Sequence, residues 1–257
     1  MTLEDIGLNT RSVLSALVAG LPLALCYLTR AGLRRSKTMP PWTFPGLMVA
    51  GGAGGLAFSL YGYPWLAAAL AWLYGPALPA DPLFYQAVLA PLAEELGKGL
   101  ILLPFLLSRW YRGPIDGLLY GLAAGAGFAA VENFAYFTMA YVVSGAPGWA
   151  EAVATRALPS TIIHAGATAA IGAGLGVWLV VRSPLVRWAA PALGLLAAVA
   201  IHGTWNGLMV LSSRTADIAV LQVALAWLPA VLGALLVALS KALKYEFETG
   251  DLPPAKA

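Results

Sequence analysis

Apolar stretches of span length recur down the chain, and polar residues gather in the gaps between them. Runs at roughly 12–29, 44–62, 83–107, 116–143, 157–181, 188–211 and 217–240 approach or exceed the ~20 mostly apolar residues that a membrane-crossing helix needs. The segment 64–79, PWLAAALAWLYGPALP, is also apolar but short, and Pro76 and Pro79 interrupt it. No period-two alternation of the kind a transmembrane barrel requires is visible. A backbone in lipid must satisfy its own hydrogen bonds, so the runs are expected to be helical. The pattern predicts an all-α, polytopic membrane helix bundle of about seven transmembrane helices, with an extra short apolar segment at 64–79.

Composition agrees. Of 257 residues, 60% are hydrophobic and 11% charged, against about 25% charged in soluble domains. The net charge of +3 is too small to point to nucleic acid. One cysteine, Cys26, cannot form an intrachain disulfide and reads as an ordinary helix residue.

The basic residues orient the bundle. With the N-terminus outside and 64–79 at the outer surface or re-entering from it, the inner side holds Arg30, Arg34, Arg35, Lys37, Arg109, Arg112, Arg182, Arg187, Lys241, Lys244 and Lys256. The outer side then holds Arg11, Arg156 and Arg214. That asymmetry predicts an N-out, C-in topology. RAGLRRSK after the first run fits a retained anchor. Residues 1–245 read as one transmembrane domain and 246–257 as a short polar cytoplasmic tail. Gly117, Gly121 and Gly125, then Gly172 and Gly176, recur at four-residue spacing and predict close helix packing. GGAGG at 51–55 reads as a packing seam as well.

Against this background a few polar residues stand out. Glu94, Glu95, Lys98, Glu132, His164, His202 and Asn206 all fall inside predicted spans. An ionisable side chain at a helix centre costs about 2.5–3.5 kcal/mol on insertion scales. Three glutamates and a lysine left unpaired would therefore cost on the order of 10 kcal/mol. They are expected to face one another or a wet cavity. Glu94 and Lys98, four apart, share a helical face and can pair. Glu95 lies about 100° around that helix. Phe128 and Glu132 share a face, as do His202 and Asn206. In the seven-span topology the polar groups lie roughly 10–18 Å below the outer surface, at 1.5 Å per residue.

Taken singly, each has a structural explanation: an ion pair for Glu94 and Lys98, a carbonyl partner for His164, interhelical bonding for Asn206, an ion path for Glu132. Arg156, at the end of its span, reads as an interface anchor. Together they describe hydrolysis of an acyl bond. A carboxylate can act as general base for water, a second can share its proton, and a histidine can orient water. Asn and His can donate to a developing oxyanion. No serine or cysteine nucleophile motif is present, and HExxH is absent. Two histidines and up to three glutamates could alternatively hold zinc.

EELGK at 94–98, DGLLYGLAAGAGFAAVENFAY at 116–136, His164 and HGTWN at 202–206 together resemble the PrsW family of intramembrane proteases. The resemblance covers most of residues 85–210. It extends to the type II CAAX prenyl endopeptidases through Glu94-Glu95 and His202-x-x-x-Asn206, but Phe128-x-x-x-Glu132 stands where those enzymes have Phe-x-x-x-His, and Lys98 replaces a later Arg. This departure favours PrsW over CAAX processing. The resemblance implies that Glu94 or Glu95, with Glu94 favoured, activates water. Glu132 and His164 would then orient it or share its proton, and His202 and Asn206 would cradle the oxyanion. Lys98 supports by neutralising a glutamate. A metal-independent, glutamic-type protease without cofactor is favoured over a zinc enzyme. The implied partners are the lipid bilayer and a single-span, anti-sigma-factor-like substrate cut near the extracytoplasmic face of a bacterial cytoplasmic membrane. The rival classes are a non-catalytic scaffold of the same superfamily and a proton-coupled transporter.

Overall fold

The computed structural model describes residues 10–32, 40, 42–75 and 81–249. Among them every regular element is helical: α1 Thr10–Gly32, α2 Thr43–Ala57, α3 Tyr63–Tyr74, α4 Pro82–Phe84, α5 Ala90–Leu106, α6 Pro114–Arg156, α7 Pro159–Val180, α8 Pro184–Thr215 and α9 Ile218–Thr249. π-helical turns at Phe58–Gly62 and Tyr85–Leu89 join α2 to α3 and α4 to α5. Each expected span falls on a helix. Helix α9 runs through 246–249, and the remainder of the predicted tail, 250–257, lies outside the described residues, as do Arg34, Arg35, Lys37 and Lys256.

Proline sets several of the starts. Pro82, Pro114, Pro159 and Pro184 open α4, α6, α7 and α8, where a missing N–H costs nothing and φ is already helical. At Asp81 the side chain also caps, accepting from the Leu83 N–H at 2.9 Å.

Four helical stretches among the described residues are long and apolar enough to cross a membrane: Thr43–Leu73, Pro114–Val180, Pro184–Thr215 and Ile218–Leu235. The chain is an integral membrane protein. Its outward surface carries large apolar side chains such as Leu17, Val49, Trp65, Trp72, Val142 and Leu185. Small residues line the contacts between helices. An added Cβ on Gly117, Gly121 or Gly125 of α6 would strike the main chain of α7 at Gly172, Thr168 or His164. Backbones this close gain dispersion contacts that larger residues would prevent. On the other side of α6, Gly51 meets the Ala124 main chain, and Gly127 meets Met48. The expected seams are thus both present, and α6 is clasped between α2 and α7.

Two expectations change. The separation of 64–79 from the preceding span is absent, because α2, the π turn and α3 form one helical stretch. Pro64 does not break it. The Tyr63 N–H reaches back five residues to the Phe58 carbonyl, and the proline follows at the start of α3. Residues 76–80, the end of that segment, lie outside the described residues. The second change is at 144–156, read as a connection and found helical. Gly145 there adopts φ 66°, ψ −157°, a left-handed backbone that only glycine takes up without strain. The chain reverses at that point, and Trp149 Nε1 donates to Ser15 Oγ of α1 at 2.9 Å.

The apolar core occupies the end of the bundle where α5 stops and α6 begins, around Phe44, Leu47, Leu102, Tyr111, Ile115 and Tyr120. Tyr111, a buried phenol, donates to the Gly172 carbonyl at 2.6 Å. The polar residues of the spans lie further along α6, beyond this core.

Candidate active site

Four helices deliver the polar layer: Glu94, Glu95 and Lys98 from α5, Glu132 from α6, His164 from α7, and His202 and Asn206 from α8. Glu95, Lys98 and His202 are fully buried, and His164 is nearly so. All seven residues singled out from the sequence converge on one cluster.

Glu95 is its anchor. It forms an ion pair with Lys98, accepts from Thr168 Oγ1 at 3.0 Å and meets His202 Nδ1 at 3.0 Å. The expected Glu94–Lys98 pair is therefore corrected: the lysine turns to Glu95, one turn back at i−3, where Thr168 and His202 complete a shell that Glu94 lacks. Lys98 Nζ also lies 3.2 Å from His164 Nδ1 and 4.3 Å above the Phe128 ring. An ammonium has only protons to give, so His164 Nδ1 accepts. His164 Nε2 then carries the proton toward Glu132 Oε2 at 2.9 Å.

The same argument fixes His202. Glu95 already takes protons from Lys98 and Thr168, so His202 donates from Nδ1 and turns a lone pair outward at Nε2. That nitrogen lies 3.2 Å from Asn206 Nδ2 and 3.7 Å from Glu94 Oε2. Asn206 Nδ2 donates in addition to the Gln86 carbonyl at 3.2 Å. Glu94 Oε2 is buried and has no hydrogen-bond partner.

Arg156 completes the layer, and the reading of it as an interface anchor is corrected. Its Nη2 donates to Glu132 Oε2 at 2.6 Å, and its guanidinium lies 3.6 Å from the Tyr136 ring centroid. Asn133 Nδ2 holds the Arg156 carbonyl at 3.3 Å. Glu132 and Arg156 keep about a fifth of their side-chain surface exposed, so the cluster opens on this side. The reversal at Gly145 brings Arg156 back to the site, a fold-level event that a linear pattern does not display. Thr168 was missed too. It lies one turn after His164, but a lone hydroxyl in an apolar helix costs too little to stand out.

Lys98 pairs with Glu95 and Arg156 with Glu132, which leaves Glu94 without a lysine or arginine bonded to it. Ligand atoms of Glu94, His164 and His202 lie within 4.8 Å of one another. Two histidines and one glutamate form a known catalytic zinc set. A ligating histidine usually gives its other nitrogen to a carboxylate, as His202 gives Nδ1 to Glu95. The unpartnered oxygen of Glu94 fits a divalent cation, and His202 and His164 join it once His202 Nε2 releases Asn206 and His164 releases one of its two partners. The expectation of a site without metal is therefore not supported by this donor set.

The model of the PrsW family intramembrane metalloprotease matches residues 40–235. The match takes in every member of the cluster, and the chain belongs to this family of intramembrane proteases. No curated protein and no solved structure matches the chain.

Proposed function

We propose, from the premise of that family membership, that this protein hydrolyses a peptide bond of a single-span membrane protein, with Glu94 as the carboxylate that addresses the attacking water. The observation that carries the reading is Glu94 Oε2: buried, unpartnered and 3.7 Å from His202 Nε2. A buried carboxylate oxygen left without a donor costs about 1–3 kcal/mol or more. A site that keeps one has a use for its free lone pairs.

In this reading a water lodges between Glu94 Oε2 and His202 Nε2. Glu94 Oε2 takes the water's proton as the oxygen adds to the scissile carbonyl carbon. The proton then passes to the leaving amine nitrogen as the C–N bond breaks. His202 orients the water through Nε2, and Glu95 holds the ring by Nδ1. Lys98 balances the Glu95 charge. Glu132, held by Arg156, fixes His164 beside them. The oxyanion role falls to Asn206, which would turn the amide hydrogen now directed at His202 Nε2 toward the developing charge and so free that nitrogen for the water, while its other hydrogen stays on the Gln86 carbonyl. With the seven-span, N-out, C-in topology expected from the sequence, the cluster would sit nearer the extracytoplasmic face. That depth supports cleavage of an anti-sigma-factor-like substrate there, in a bacterial cytoplasmic membrane.

A second reading is favoured by the three ligand atoms within 4.8 Å of one another. Glu94, His164 and His202 would hold a divalent metal such as zinc. When bound, zinc would polarise the carbonyl and supply acidic water.

The test uses the purified protein in liposomes with a panel of tagged single-span membrane proteins. Wild type is expected to cut at least one of them, and Glu94→Gln to lose at least 100-fold in rate. Cutting by Glu94→Gln at the wild-type rate sinks the proposal. No cutting by folded wild type moves the assignment to a membrane scaffold.

A further inference from the structure

The helix carrying Glu94 and Glu95 does not start as a regular α-helix. Across the π turn the Ala90 N–H reaches back to the Tyr85 carbonyl, five residues away. The next donor in that widened ladder would be residue 91, aimed at the Gln86 carbonyl. Residue 91 is proline and has no N–H. The same missing donor is the one an α-helical ladder would aim at the Ala87 carbonyl.

Both carbonyls face α8. Asn206 Nδ2 donates to Gln86 O at 3.2 Å. A Cβ added to Gly203 would strike Ala87 O, so at this position only glycine lets the two backbones meet. An amide nitrogen has two hydrogens to give. With one on Gln86 O and the other directed at His202 Nε2, also at 3.2 Å, Asn206 is held at both ends.

We infer that Pro91 is a positioning residue of the hydrolytic site. By withholding its N–H it leaves the Gln86 carbonyl free for Asn206, and this bond aims the asparagine amide at His202 Nε2. Pro91 touches neither water nor substrate in this scheme. The inference rests on the hydrolase reading above for its effect on rate. The hydrogen-bond link itself does not depend on that reading.

The experiment is Pro91→Ala in the full-length protein in liposomes, with Pro64→Ala as its control. Pro64 follows the other π turn in the same way, on a helix that supplies none of the Asn206 hydrogen bonds. Pro91→Ala supplies a backbone donor, so thermal stability is expected to hold or rise while kcat falls about tenfold, the scale of one hydrogen bond, with KM nearly unchanged. Pro64→Ala is expected to cleave at the wild-type rate. Pro91→Ala combined with Asn206→Ala is expected to be no slower than Asn206→Ala alone. In protein labelled with 15N-asparagine, the Asn206 side-chain amide signal, identified by its loss in Asn206→Ala, is expected to shift in Pro91→Ala.

Wild-type cleavage by Pro91→Ala, losses that multiply with Asn206→Ala, or loss of folding in Pro91→Ala each overturn the inference. So does an unmoved Asn206 amide signal. If instead Glu94→Gln cleaves like wild type, the hydrolase reading fails. The amide signal then still decides whether Pro91 positions Asn206.

Discussion

Arg156 and Glu132 are 24 positions apart on one helical element, and their side chains meet at 2.6 Å. Along a straight helix the same interval would span about 36 Å. The turn-back at Gly145 closes the gap and places a guanidinium at the open side of the cluster. Glu132 Oε2 accepts from Arg156 and His164 together, so losing the arginine should loosen the histidine. Arg156→Ala is expected to slow cleavage about 10- to 100-fold, as a charge-assisted hydrogen bond is worth about 1.5–3 kcal/mol. Arg156→Lys should retain part of the rate. Because Arg156 is partly exposed, millimolar guanidinium should restore activity to Arg156→Ala. Absence of rescue, with the variant folded, would count against a positioning role.

Gly145 itself is testable. Its φ of 66° costs a residue with a Cβ about 1–2 kcal/mol. Gly145→Val is expected to lower folding stability by about that much, read as a lower thermal midpoint, and to weaken the Arg156–Glu132 pair. Cleavage should fall with it. A variant with wild-type stability and activity would show that the reversal does not depend on glycine.

The two adjacent glutamates should behave oppositely in a stability assay. Glu94 Oε2 has no donor, so Glu94→Gln is expected to be neutral or stabilising. Glu95 is bonded to Lys98, Thr168 and His202. Glu95→Gln leaves a buried ammonium without its counter-charge, and breaking such a pair costs about 3–5 kcal/mol. Removing both charges together, as Glu95→Gln with Lys98→Met, should recover part of that loss. Equal stability changes in the two single variants would refute the asymmetry.

Chelation addresses the cluster from another side. The metal reading expects cleavage to be lost on dialysis against a zinc chelator and restored by added zinc, with one equivalent bound per chain. Glu94→Gln should reduce the bound metal. Cleavage that survives complete metal removal, yet is lost in Glu94→Gln, would put the water on Glu94 alone.

Thr168 offers a smaller effect. Thr168→Val removes one of the three donors to Glu95 while keeping the side-chain shape. It is expected to cost about 1 kcal/mol of stability and to leave most of the cleavage rate. A collapse of activity at full stability would give the hydroxyl a larger part than geometry suggests.

Much of this protein was legible in its hydropathy. Each expected span falls on a helix, because in lipid an apolar run has no other way to satisfy its backbone. The glycine seams were legible too, since four-residue spacing repeats on one helical face. The polar residues announced themselves through the energetic cost of keeping them there. Pairing was not legible. Glu94 and Glu95 have equal access to Lys98 by spacing, and only the approach of α7 and α8 decides between them. Thr168 and the Gln86 carbonyl carry no local signature. Pro64 and Pro91 each follow a π turn, which no local pattern announces.

What the sequence alone determined is the class of molecule and seven members of its polar layer, because both follow from the one-dimensional balance of burial and charge. The tertiary structure decided who pairs with whom: Lys98 and His202 Nδ1 with Glu95, Arg156 with Glu132, and Glu94 Oε2 with no hydrogen-bond partner. Those choices are made by how four helices pack side by side, and by a chain reversal at one glycine. Hydropathy measures whether a side chain belongs in lipid or protein. It holds no information about the direction from which its partner arrives.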